Sequence, residues 1–166
     1  MDDETLQKLI ARAISYISFR PRSGKEIHEY LLKRIKGDTE EYVRLAEARL
    51  KELGYIDDAV YAKRFIESRN RSRPKGKKLI QLELLRKGVF LDVIDSVFQQ
   101  MIDTDGPTDI ELARVVVQKK YSIWKKLSIL EQKKKLFGFL QRRGFASSVI
   151  FRIIDELVEK QYNDDT

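Results

Sequence analysis

One helical pattern occurs twice at a fixed interval, and this repeat limits the possible folds more than any other feature of the chain. The segment IQLELLRKGVFLDVIDSVFQQM from Ile80 runs in register with LFGFLQRRGFASSVIFRIIDEL from Leu136, an offset of 56. Ile80 aligns with Leu136, Leu84 with Leu140, Lys87 with Arg143 and Gly88 with Gly144. Val93 and Ile94 align with Val149 and Ile150, and Val97 with Ile153. The preceding stretches VYAKRFI and ELARVVV match at an offset of 51, so the loop that follows is about five residues longer in the last copy (56 less 51). A weaker copy, EIHEYLLKRIKG followed by TEEYVRLAEARLKEL, comes before both. Self-similarity at about 50 residues describes stacked units, each too small to bury its apolar faces alone.

Apolar residues recur at helical spacing, as at Leu6, Ile10, Ala13 and Ile17, and again at Val43, Ala46, Leu50 and Leu53. No segment alternates with period two between hairpin turns. The expected fold is all-α, with three tandem three-helix units at residues 1–56, 57–104 and 105–166. Gly37, Gly88 and Gly144 are expected at helix C-terminal turns, where a left-handed residue without a Cβ costs least. Leu84, Ile94, Val97, Leu140, Ile150 and Ile153 are expected inside. Asp57 or Asp58 suits the start of a helix near Ala59, and Asp92 and Ser147 or Ser148 the starts of the third helices. Tyr55 and Ile56 read as an apolar plug between units.

Charge follows the repeat. Arg69 to Lys87 holds eight basic residues and one acid, Arg114 to Arg143 ten and one, and Arg20 to Lys36 six and two. The windows carry +7, +9 and +4, a sum of +20, so with a whole-chain charge of +7 the remainder carries −13. Each window covers the loop after a first helix and the second helix. If the units stack in one orientation, the windows form a basic edge facing a polyanion. RSRPKGKK, residues 71–78, is its centre, read as a solvated Pro/Gly loop with no acidic tract nearby in sequence. The candidate contact residues are Arg69, Arg71, Arg73, Lys75, Lys77, Lys78, Lys87, Lys125, Lys126, Lys133, Lys134, Arg142 and Arg143. Arg86, Lys87, Arg142 and Arg143 also stand in last turns, where cations stabilise the helix dipole.

Other chemistry lacks parts. The chain has no Cys and one His, so zinc ligation and most nucleophile–base pairs are not available. His28 reads as an exposed helix residue. PKGKK has no phosphate-loop frame. No cofactor and no enzyme activity are expected. Trp124, between lysine pairs in KKYSIWKKL, either stacks on an unpaired base or wedges between helices, and the second role is favoured. Major-groove reading by a last helix is disfavoured, because LDVIDSVF would bring carboxylates to phosphates. The acidic start MDDETLQKLI is no signal peptide, and no apolar run approaches the ~18 residues of a membrane span. A cytoplasmic location is expected, consistent with the lack of Cys.

The stretch LGYIDDAVYAKRFIESRNRSRPKGKKLIQLELLRKGV resembles the signature of the RecX family of regulatory proteins: a G-Y-[LI]-D-D start, an aromatic-Ala pair, an Arg-rich loop with Gly, and an I…EL…KG[IV] helix. Here Tyr61-Ala62 stands where the family often has Phe-Ala, and Val89 where it often has Ile. FGFLQRRGFASSVIFRII resembles the family's C-terminal FLxRRGF…VI segment. The likeness runs from about Ile14 to Leu157. It implies an elongated, curved array of three-helix units that binds the RecA recombinase on single-stranded DNA and inhibits strand exchange, ATP hydrolysis and stimulated repressor cleavage. A monomer is expected, with weak direct DNA binding as an additional partner contact. The alternative from the residues alone is a sequence-independent nucleic-acid-binding helical repeat protein that needs no recombinase. A third reading is a helical adaptor whose charge only solvates it.

Overall fold

The computed structural model describes residues 3–35 and 40–164, with side chains through Glu159. Among the described residues there are nine helices and no strand: α1 Asp3–Ser18, α2 Gly24–Leu32, α3 Glu40–Glu52, α4 Asp58–Ser72, α5 Lys77–Arg86, α6 Leu91–Asp103, α7 Asp109–Trp124, α8 Ile129–Arg142 and α9 Ser147–Asp164. The chain groups into two compact units, Met1–Phe65 with Leu84–Phe98, and Ile66–Glu83 with Gln99–Thr166. The middle copy of the repeat gives residues to both.

In the first unit, Leu9, Ile10 and Ala13 of α1 meet Ile27 and Leu31 of α2 and Val43, Ala46 and Leu50 of α3. These are the faces that helical spacing picks out, although Leu53 lies outside the core and is exposed. In the second unit, Leu112, Ala113, Val116 and Val117 of α7 pack with Leu136 and Leu140 of α8 and with Ile150, Ile153, Ile154 and Leu157 of α9. Each fully buried Leu or Ile contributes about 1.5–3 kcal/mol. Leu84, Ile94 and Val97 are buried as expected, and so are Leu140, Ile150 and Ile153.

Gly54, Gly88 and Gly144 have φ of 74°, 82° and 80°. At Gly88 the amide donates to the Leu85 carbonyl and the Val89 amide to Leu84. At Gly144 the partners are Gln141 and, from Phe145, Leu140. Both are doubly bonded left-handed helix ends whose following residue, Val89 or Phe145, is buried. The next helix starts at once. Phe90 and Ala146 therefore take its cap positions, with carbonyls accepting from Ile94 and Ile150. Asp92, Ser147 and Ser148 lie inside the first turns and not at the cap positions, although Asp92 Oδ1 accepts from the first-turn Val93 amide at 2.9 Å. Gly37 falls outside the described residues. Of the expected plug, Ile56 is buried but Tyr55 is 43% exposed. His28 is half-buried on α2, with Nδ1 2.8 Å from Oε1 of Glu47.

Candidate nucleic-acid interface

Half of RSRPKGKK is helix. α4 runs on through Ser72 and α5 begins at Lys77, which leaves residues 73–76 as the connection. Pro74 and Gly76 are buried, so this is no solvated loop. The connection sits on the C-terminal end of α8. The Gly76 amide donates to the Arg143 carbonyl at 2.9 Å. The Arg143 guanidinium donates to the Pro74 carbonyl at 3.1 Å. The Lys77 amide donates to Asp109 Oδ2 at 3.2 Å. Burial raises the Asp109 carboxyl above its ordinary pKa, opposed by that amide and by the Lys77 charge. The positive end of α5 thus meets the negative end of α8 and an acidic cap, which satisfies amides that a helix start leaves open.

The first unit contains the same joint. Ser23, the N-cap of α2, donates its hydroxyl to the Lys87 carbonyl at 2.6 Å. The Gly24 amide donates to Asp58 Oδ1 at 2.9 Å. The adjacent carboxylates divide the work. Asp57 caps its own helix through the Ala59 and Val60 amides, both at 2.9 Å, while Asp58 caps α2. Sequence reasoning missed this joint, yet a signal was present: RPRSGK at residues 20–25 and RPKGKK at 73–78 repeat at an offset of 53.

Several expected contact residues are engaged within the fold. Glu83 pairs with Arg69 at 2.9 Å and with Lys75. Burial pushes the Glu83 carboxyl up, but the hydrogen bonds from Lys75 and Arg69 outweigh it, leaving the pKa below the ordinary value. Lys87 lies 3.3 Å from Glu26, which also receives Arg20 at 2.8 Å. Glu26 behaves as Glu83 does: burial raises its pKa, and Arg20, the Ser23 amide and Lys87 bring it lower still. Arg143 is half-buried, its guanidinium 4.8 Å from the Phe139 ring centre. Arg71, Arg73, Lys77, Lys78, Lys125, Lys126, Lys134 and Arg142 are exposed, and Lys133 is half-buried. Seating residues 73–76 on the end of α8 brings part of the second basic window to the third.

Trp124 takes the favoured packing role and keeps part of its ring open to solvent. It packs against the core of the second unit, edge-on to Phe139 with ring centres 5.3 Å apart at 78°, and remains only half-buried. Beside it a cleft is lined by Trp124, Lys134, Lys135, Gly138, Phe139 and Arg142. Lys135 was not among the expected residues. Lys125 and Lys126, which directly follow Trp124 in the chain, are not in its lining. Among the described residues there is no group of three or more His, Cys, Asp and Glu placed to hold a metal ion. Nor is any described helix long and apolar enough to cross a membrane.

This architecture, a run of three-helix units with glycine turns and net basic helices α5 and α8, defines a class of tandem helical-unit protein. Residues 57–97 match the RecX second three-helix domain and residues 108–154 the RecX third three-helix domain. The chain is 32% identical over 159 residues to the regulatory protein RecX of Bacillus cytotoxicus, covering 96% of this chain and 57% of that protein. It is 33% identical over 154 residues to the regulatory protein RecX of Oceanobacillus iheyensis, covering 93% and 55%. The crystal structure of RecX from Lactobacillus salivarius superimposes with a TM-score of 0.82 at 23% identity, over 94% of this chain and 98% of that one. A second crystal structure, of regulatory protein RecX, gives 0.75 at 24% identity, over 91% and 73%. The chain belongs to the RecX family of regulatory proteins. It spans less than three fifths of the length of these two curated relatives.

Proposed function

We propose that this chain is a non-enzymatic regulator of DNA repair that binds the RecA recombinase on single-stranded DNA and lowers its strand-exchange, ATPase and co-protease activities. Family membership supports the recombinase as partner. The observation that carries the contact surface is the second unit's exposed cations, Arg71, Arg73 and Lys78 on one window and Lys134 and Arg142 on the other. Exposed cations near a phosphate backbone gain affinity by releasing counterions, and the gain falls as salt rises. Within this reading the chain acts as a cytoplasmic monomer organised as three-helix units at 1–56, 57–104 and 105–166.

The test is a titration of recombinase ATPase on single-stranded DNA with and without the chain, beside binding to bare DNA at several salt concentrations. Inhibition well below the concentration that gives bare-DNA binding supports the recombinase reading. Inhibition that appears only as bare DNA becomes saturated favours the second reading, a nucleic-acid binder that needs no recombinase. The Trp124 cleft is the observation that keeps this second reading in play.

A further inference from the structure

We propose that the cleft between α7 and α8 is a binding site for one unpaired nucleotide of a single-stranded nucleic acid, with the base against Trp124 and the flanking phosphates on Lys134, Lys135 and Arg142. This goes beyond the recombinase reading, since it holds for DNA alone.

The cleft has about 390 Å³ of open space, within the ~300–1,000 Å³ of small-ligand sites. Its walls are aromatic and cationic and contain no carboxylate. Lys134, Gly138 and Arg142 follow one another at intervals of four, which puts them on one face of α8, with Lys135 beside them. Among the described residues none of these three cations makes a close ion pair, although the pKa of Glu131, one turn back, is lowered first by its hydrogen bonds with Ser128 and further by the charges of Lys135 and Lys134. Glu131, the acid nearest in sequence, closes the capping box of α8, accepting from the Ser128 hydroxyl at 2.6 Å and the Ser128 amide at 3.0 Å.

Gly138 carries the most weight. A glycine within a helix costs about 1 kcal/mol relative to alanine, so it needs a reason. Neither positive φ nor packing supplies one. Its φ is not in the left-handed region, and an added Cβ would meet only the tip of the flexible Arg142 side chain, at 3.2 Å. By contrast, a Cβ on Gly76 or Gly144 would strike backbone. What the missing side chain does at Gly138 is leave the cleft open between Trp124 and Arg142.

The chemistry then selects the occupant. An acidic peptide would use the cations but leave the indole idle, and a cationic ligand would be repelled. A base stacked inside a duplex cannot reach the cleft. An unpaired nucleotide uses both features, and a base stacked on an aromatic side chain is a recurring, sequence-tolerant contact in single-strand binders.

Trp124 is the only tryptophan, so its emission reports on this cleft directly. The full chain is titrated with oligothymidylate, with an abasic strand of equal length, with duplex of the same length and with polyglutamate. The expected result is saturable quenching by oligothymidylate alone. Gly138→Leu, a better helix former that fills the cleft, should keep the helical circular dichroism and the melting temperature and weaken oligothymidylate binding about tenfold or more. Lys134→Gln with Lys135→Gln should weaken it and flatten its salt dependence. Equal quenching by the abasic strand would overturn the base site and leave phosphate contacts only. Quenching by polyglutamate would point to an acidic protein instead. Unchanged affinity in folded Gly138→Leu would place the DNA elsewhere. Recombinase inhibition is measured on the same variant, so that loss of the cleft and loss of regulation are told apart.

Discussion

Gly76 and Gly144 meet backbone to backbone: a Cβ on Gly76 would lie 2.3 Å from the Gly144 carbonyl oxygen and 2.4 Å from the Phe145 nitrogen. The first unit has the counterpart, where a Cβ on Gly88 would lie 2.6 Å from the Lys25 Cβ. In both joints a helix start sits so close to a glycine turn that a methyl group cannot enter. The connection in RPKGKK is therefore a packing element as well as a charged one.

Glycine substitutions should separate strain from collision. Gly54 has a left-handed backbone with nothing within 4 Å of an added Cβ, so Gly54→Ala should cost only the conformational ~1–2 kcal/mol. Gly144→Ala adds a collision with Leu79, and Gly76→Ala drives a methyl group into backbone. Both should cost more than Gly54→Ala in denaturant unfolding. Equal losses at all three positions would show that the joint yields freely.

Charge reversals should divide the basic connection in two. Arg71→Glu with Arg73→Glu changes exposed positions and should shift stability by no more than about 0.5 kcal/mol while weakening nucleoprotein binding. Lys75→Glu puts a carboxylate against Glu83 and should lose more than ~1 kcal/mol of stability as well. Unfolding curves and filament affinity at two salt concentrations check both. Wild-type affinity in the Arg71/Arg73 variant would show that these cations serve solubility alone.

Acid stability should depend on Glu83. Its folded pKa lies below its unfolded value, so its contribution is complete above the unfolded value, ~4.3, and is lost as pH falls through the folded pKa. The stability difference between wild type and Glu83→Gln should be constant from neutral pH to about 5 and shrink below that. Asp109, with a raised pKa, acts with the opposite sign: its charged form opposes folding, and protonation relieves this as pH falls. A difference independent of pH down to 2 would remove Glu83 from the account.

Core truncation should cost alike in each unit. Ile94 and Ile150 occupy equivalent repeat positions and are 0% and 1% exposed. Ile94→Ala and Ile150→Ala should each cost about 2–5 kcal/mol by opening a cavity, measured by chemical denaturation. Ending the chain near Asp105 is a poorer way to probe the third basic window, because it removes Asp109, Arg143 and Gly144, on which residues 76–79 rest.

Much of the fold was legible in the chain. Helical period, glycine turns and the matching of Leu84 with Leu140 and Ile94 with Ile150 are local or repetitive properties, and each follows from burying one face of a short helix. The pattern of cations was equally plain. The engagement of each cation was not. Arg71 and Lys75 read alike in RSRPKGKK, yet one is exposed and the other is held by Glu83, eight residues along on the next helix. Asp57 and Asp58 also read alike, but one caps its own helix and the other a helix starting 34 residues earlier. Sequence determined which residues were apolar, charged or free to turn, because those are properties of single side chains and short periods. Only the tertiary structure decided which charges neutralise one another, which glycine leaves a cleft open and which aromatic keeps a face to solvent, because those depend on distances between residues far apart in the chain.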